Sequence, residues 1–183
     1  AEDAELLGAL RDFVWQEGQL KVTVVEGKEN EGAKFRDYFD HVEPLRKVPS
    51  HRALAILRGR NEGILAYSIV MGDAEEDRRQ PHPAEQRIAA HWRIRDNGRA
   101  ADKWLSDVVR WTWRVKLSTQ IETDLMAQVR EAAETEAINV FAANLKDLLL
   151  LAPAGPRPTL GLDPGLRTGV KVAVIDGTGQ VVD

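Results

Sequence analysis

The aspartate in Leu160-Gly161-Leu162-Asp163-Pro164-Gly165 sits where chemistry is easiest to imagine. It closes an apolar run that reads as a buried strand, and small residues follow that let a returning partner pass close by. A carboxylate is a hard oxygen donor, and by itself it fixes no reaction. Phosphodiester cleavage by two divalent cations, about 3.5–4 Å apart, needs several carboxylates gathered from a complete sheet. Asp163 does not supply that set, and Asp176, beside Gly177-Thr178-Gly179, reads as a turn residue. Asp-Pro-Gly is itself ordinary turn chemistry, so Asp163 also has a purely structural assignment. The expectation is no nuclease activity, with Mg2+ a cofactor only if further ligands join Asp163.

Other reactive constellations are missing from the sequence. No cysteine occurs, which removes disulfides, thiolate zinc sites and cysteine nucleophiles and fits the cytosol. His41, His51, His82 and His91 lack metal-ligand spacing, so capping and packing roles suffice for them. No G-x-x-x-x-G-K loop is present, and the glycines of 161–169 precede a strand, where no helix N-terminus waits for a phosphate. The longest apolar run, Leu148 to Ala152, is far too short to span a bilayer, and no basic segment followed by an apolar one opens the chain. No catalytic activity, cofactor or membrane association is expected.

Nucleic-acid contact has a better local basis. The net charge is −4, yet the charges are segregated: Arg87 to Lys116 holds eight cations against three aspartates, while Glu122 to Leu150 holds six acids against two cations. Projected at 100° per residue, Ala101, Trp104, Leu105, Val108, Trp111, Thr112 and Val115 share one face of a helix. Lys103, Asp107, Arg110 and Arg114 lie opposite, and Trp113 falls off the apolar face. Phosphates favour such a cationic face, and Trp92 or Trp113 offers a ring for a base to stack on. Candidate nucleic-acid-binding residues are therefore Arg93, Arg95, Arg99, Lys103, Arg110, Trp113 and Arg114. The competing assignment is a solvated face on which Asp107 pairs with Lys103, Arg110 or Arg114. The acidic helix that follows is expected to dock antiparallel on the basic one and absorb part of its charge.

These side chains need elements to hold them. With 43% hydrophobic and 30% charged residues, the chain has the composition of a globular protein. Leu6, Leu10, Phe13 and Val14 predict an amphipathic helix over 5–17. Leu20 to Val25 is β-rich, but a helix running on through Gly18 is equally open. Phe35, Tyr38, Phe39 and Val42 predict one helical face. Ser50 is placed to cap a helix through Ala53 to Leu57, with a hairpin against the strand Ile64 to Met71 as the rival. A charged loop over 73–80 leads to a helix from about Ala84 to Asp96, stopped at Asn97-Gly98. Thr119 and Glu122 match a capping box that starts a helix of about 30 residues, roughly 45 Å long.

Pro153 to Pro158 cannot continue that helix and marks a linker. Two strands, Thr159 to Leu162 and Val170 to Asp176, follow. The expected fold is mainly α with a small β element (α+β): a helical scaffold over 1–152, a proline-rich linker over 153–158 and a β-hairpin over 159–183. The first residue is Ala and the last ones break off within a strand-like run, so a piece of a longer protein is expected.

Four blocks carry a resemblance: Glu31 to Phe39, Glu43-Pro44-Leu45, Pro49 to Gly63, and Asp163-Pro164-Gly165. In this order, over nearly the whole chain, they resemble the Tex family of bacterial transcription accessory proteins. The hairpin itself resembles the entry of the RNase H-like fold in its YqgF and Holliday-junction-resolvase branch, where the first-strand aspartate, here Asp163, is a metal ligand. The resemblance implies a scaffold and the first hairpin of a YqgF-type domain, with helix-hairpin-helix modules and an RNA-binding OB domain beyond Asp183. It implies nucleic-acid binding during transcription, and a YqgF-type domain not generally credited with nuclease activity. The expected function is the non-catalytic scaffold portion of a cytoplasmic, nucleic-acid-binding transcription accessory factor. The alternatives are the start of an RNase H-like metal-dependent nuclease, or a protein-interaction scaffold that binds RNA polymerase or other transcription factors.

Overall fold

A computed structural model describes residues 3–72, 81–152, 155–165 and 169–183. The expected charged loop over 73–80, Pro153 and Ala154, and residues 166–168 lie outside the described residues. The described chain is mainly helical with two small antiparallel sheets, the α+β class expected.

Helix α1 (Ala4–Glu17) starts where Asp3 Oδ1 accepts the Leu6 N–H at 2.9 Å, and it buries Leu6, Leu10 and Val14 on one stripe. It stops at Gly18, whose backbone is extended, and the chain passes directly into strand β1 (Gly18–Val24). That decides the open segment in favour of a strand. β1 is the central strand of the first sheet, with β2 (Asp40–Pro44) and β3 (Leu65–Met71) antiparallel on either side. Its alternate residues Gly18, Leu20 and Val22 are buried, and Leu20 and Val22 share one core with α1.

The aromatic segment does not form the single helical face expected of it. Ala33–Tyr38 is a 3-10 turn, only Phe35 is buried, and Val42 lies in β2 opposite Lys21, exposed. Pairing with the open edge of β1 outweighs the helical periodicity of the four residues. Helix α2 (Ser50–Asn61) confirms the helix over its hairpin rival, but Pro49 occupies the cap and Ser50 is the first helical residue, its hydroxyl bonded to Glu136. Gly59 lets α2 approach β3: a Cβ there would lie 2.5 Å from Leu65 Cδ1.

Helix α3 (Pro83–His91) is entered through His82, whose Nδ1 accepts the Ala84 N–H at 3.1 Å. It ends five residues before the expected Asp96. Arg93 adopts φ 54°, and the Ile94 N–H turns back to the Ala89 carbonyl at 2.8 Å, which folds Ile94 against the core. The left-handed region costs a side-chain-bearing residue about 1 kcal/mol or more. Arg93→Gly is therefore expected to raise unfolding stability by about 1 kcal/mol, read by urea denaturation.

Helix α4 (Ala100–Trp111) continues through a π-helical turn (Thr112–Leu117) into α5 (Ser118–Leu149) without a break. The capping box at Thr119 is thus no helix start. Thr123 Oγ1 donates to the Thr119 carbonyl, and Glu122 Oε2 accepts the Ile69 N–H at 3.0 Å, tying α5 to β3. The expected antiparallel docking of the acidic helix on the basic one does not occur, since one follows directly from the other.

The π turn also reverses the predicted burial. Val109, Trp113, Leu117, Ile121, Leu125, Val129 and Ala133 are all buried at four-residue intervals. In an α-helix each such step overshoots a full turn by about 40°. Closure at i→i+5 takes more residues to come round and returns part of that overshoot, which keeps the stripe on the core. Trp104, Val108, Trp111 and Val115, projected onto the apolar face, are instead 65%, 38%, 53% and 53% exposed.

The chain divides into two compact units, Ala1–Val140 and Phe141–Asp183. The second contains the end of α5 and a hairpin of β4 (Thr159–Gly165) and β5 (Gly169–Ile175), in register from Thr159↔Ile175 to Gly165↔Gly169. Asp163-Pro164-Gly165 is therefore strand, not turn. No described helix is long and apolar enough to cross a membrane.

Candidate nucleic-acid interface

The basic segment is organised by two buried carboxylates. Asp102, only 1% exposed, accepts the Asn97 N–H at 2.8 Å, the Arg99 N–H at 3.0 Å and Arg99 Nε at 3.1 Å, so it caps α4. The Arg99 guanidinium, then the two backbone N–H groups, hold its carboxyl down from 3.8 to about 2. A carboxyl with a lowered folded-state pKa stabilises fully above its unfolded value and loses that contribution as pH falls through the folded one. Thermal stability is expected to drop between about pH 4 and pH 2, and Asp102→Asn is expected to flatten that part of the Tm–pH curve.

Glu85 of α3 is the second, at 4% exposure. Arg114 Nε donates to its Oε1 at 3.2 Å, and Arg110 Nε lies 3.9 Å from its Oε2, with Asp107 3.5 Å from Arg110 Nη1. The positive charge of α4 is thus partly neutralised by α3 rather than by the acids of α5. Trp113 is 7% exposed and stacks on His82 at 5.0 Å, so its ring is not offered to a base.

Of the candidates, Trp113 is buried, and Arg99, Arg110 and Arg114 pair with Asp102 and Glu85 while their side chains stay 68%, 45% and 45% exposed. Arg93, Arg95 and Lys103 remain exposed, with no carboxylate partner among the described residues. Trp92, which precedes Arg93 in the chain, is 58% exposed and meets His91 edge-on at 5.3 Å. The exposed rings of Trp104 and Trp111 were missed because the projection assigns them to the core. The run of apolar residues at intervals of four, from Val109 onward, is the signal that would have found the true buried face.

Two further histidines face carboxylates: His41 Nε2 lies 3.0 Å from Glu43 Oε1, and His91 Nε2 lies 3.0 Å from Asp3 Oδ2. Asp163 is exposed opposite Lys171, whose Nζ lies 3.8 Å away. Asp176 Oδ1 accepts from the Thr178 hydroxyl, Thr178 N–H and Gln180 N–H at 2.6, 2.8 and 3.0 Å, which lowers its pKa and makes it a turn residue. No group of three or more possible metal ligands occurs among the described residues. One carboxylate facing an ammonium does not fit Mg2+, which takes six oxygens in an octahedron.

Residues 1–141 match the family model described as Tex central region-like, and residues 157–183 match the Tex protein YqgF-like domain. The chain is 59% identical to Protein YhgF of Escherichia coli (strain K12) and 54% identical to Transcriptional accessory protein Tex of Neisseria gonorrhoeae, over 100% of its own length and 24% of each relative. It is 28% identical to S1 RNA-binding domain-containing protein 1 of Homo sapiens, over 100% of this chain and 19% of that protein. The chain thus spans about a quarter of the length of its bacterial relatives.

Proposed function

Because this chain belongs to the Tex family of transcription accessory proteins, we propose that it is the non-catalytic scaffold portion of a nucleic-acid-binding factor acting in the cytoplasm. One observation carries the nucleic-acid part: Arg93, Arg95 and Lys103 are exposed cations without a carboxylate partner among the described residues, and the ring of Trp92, which precedes Arg93 in the chain, is exposed. Guanidinium and ammonium groups left unpaired are free to neutralise phosphates, and an exposed indole gives a base a stacking surface. The human relative, named for an S1 RNA-binding domain, is consistent with this. The non-catalytic part rests on the chemistry of Asp163, a single exposed carboxylate facing the Lys171 ammonium at 3.8 Å.

Three phosphate contacts on a single strand give a log–log salt slope of about −2, a loss of roughly 20-fold in affinity between 50 and 200 mM salt. Titrating a labelled single-stranded oligonucleotide in Mg2+ buffer is expected to show that slope, with the probe intact on a denaturing gel. Salt-independent binding would overturn the phosphate assignment. Cleavage abolished by Asp163→Asn would overturn the non-catalytic one.

A further inference from the structure

We propose that the outer face of α4 and its π turn, formed by Trp104, Val108, Trp111 and Val115, docks an amphipathic helix of a partner protein whose flanks are acidic. This goes beyond nucleic-acid binding and uses a different surface, although Lys103 adjoins both.

The four side chains are not needed by the core. Val109, Trp113 and Leu117 already fill it from the opposite side of the same helical segment, leaving two indoles and two valines exposed in one stripe. Contiguous apolar surface of this kind marks interaction sites, and tryptophans dominate the binding energy of such sites. The spacing of the four residues is 4, 3, 4, the alternation of a and d positions in a helix-packing seam. The seam extends about 16 Å, or three helical turns.

Composition decides between a helix and a nucleic acid. Val108 and Val115 alternate with the indoles and present no π face to a base, whereas β-branched and aromatic residues together form the knobs and holes a facing helix fills. Charge decides what kind of helix. Lys103 stands at one end of the seam and Lys116 at the other, its Nζ 5.5 Å from the centroid of the Trp111 ring. Neither lysine has a carboxylate partner among the described residues, and Asp107, on the same helix, is paired with Arg110. A partner helix with Asp or Glu at both ends of its apolar face complements this pattern, and one with basic flanks is repelled.

The probe is a synthetic 18-residue peptide with Leu at a and d, Glu at e and g and Ala elsewhere, kept monomeric by its own charge. Its counterpart carries Lys at e and g. Calorimetry on the whole chain is expected to show binding of the Glu peptide, at least tenfold weakened by Trp111→Ala and by Lys103→Glu with Lys116→Glu. The doubly reversed variant is expected to prefer the Lys peptide. All the substituted side chains are exposed, so unchanged circular dichroism and Tm serve as the folding control.

Failure of both peptides to bind, or equal binding of both, overturns the proposal. So does a concentration-dependent dimer lost in Trp111→Ala, which makes a second copy the occupant. Loss of single-stranded oligonucleotide binding in Trp104→Ala with no effect on the peptide assigns the face to nucleic acid instead.

Discussion

Trp113→Ala is expected to lower the stability of the first unit by about 3–5 kcal/mol while leaving the oligonucleotide affinity of the folded protein unchanged. The indole is 7% exposed, belongs to the same core as Leu117 and Ile121, and stacks on His82, the residue that caps α3. Its removal leaves a cavity under the π turn and loosens the support of that cap. Trp104→Ala, on the opposite side of the helix, is expected to change stability by no more than about 0.5 kcal/mol. Urea denaturation of the two variants, with oligonucleotide titrations in the absence of urea, measures both quantities. A stable Trp113→Ala protein that no longer binds nucleic acid would restore Trp113 to the interface.

The second large effect is expected at the junction of α1 and β1. A Cβ on Gly18 would lie 2.3 Å from the Val14 carbonyl oxygen and 3.0 Å from Ile69 Cγ2. The first neighbour is backbone, so no rotamer change relieves the clash, and the same carbonyl accepts the Gly18 N–H. The φ and ψ of −70° and 148° suit any residue, which makes the obstacle one of space and not of conformation. Gly18→Ala is expected to cost about 2–3 kcal/mol, the overpacking penalty of a close-packed site. Gly8→Ala, in the middle of α1 with nothing within 4 Å of the added atom, is expected to gain up to about 1 kcal/mol. Opposite signs for the two glycines in one denaturation series check the geometry of this corner.

Much of the frame was legible because its signals are local. Leu6, Leu10 and Val14 mark α1, the seam from Ile121 to Val129 marks α5, and Ile64 to Met71 carries the β-rich composition of β3. The Tex-like blocks were legible as residue types in order. What could not be read depends on partners far along the chain. Val42 follows helical spacing with Phe35 and Phe39 but becomes a strand because β1 has an edge to fill. Glu85 lies 29 positions from Arg114, and no local pattern announces that it will be buried against that side chain.

The face of α4 was misassigned for a different reason. Both sides of the helix carry large apolar residues, Trp104, Val108 and Trp111 on one, Val109, Trp113 and Leu117 on the other. A projection at a fixed 100° gathers only the first set, since it cannot anticipate a π turn. The same turn that hides Trp113 leaves Trp104 and Trp111 in solvent. Missing it therefore misplaced both the candidate base-stacking ring and the docking face.

The central claim, a nucleic-acid-binding surface made of the cations the fold leaves unpaired, is tested most directly by fluorescence anisotropy with one single-stranded oligonucleotide. The comparison is between the triple reversal Arg93→Glu, Arg95→Glu, Lys103→Glu and the pair Arg99→Gln, Arg110→Gln. The predicted result is at least a tenfold loss of affinity in the first and little change per folded molecule in the second. Equal affinities for the triple variant and the unaltered chain, or a loss confined to the Arg99 and Arg110 pair, would contradict it.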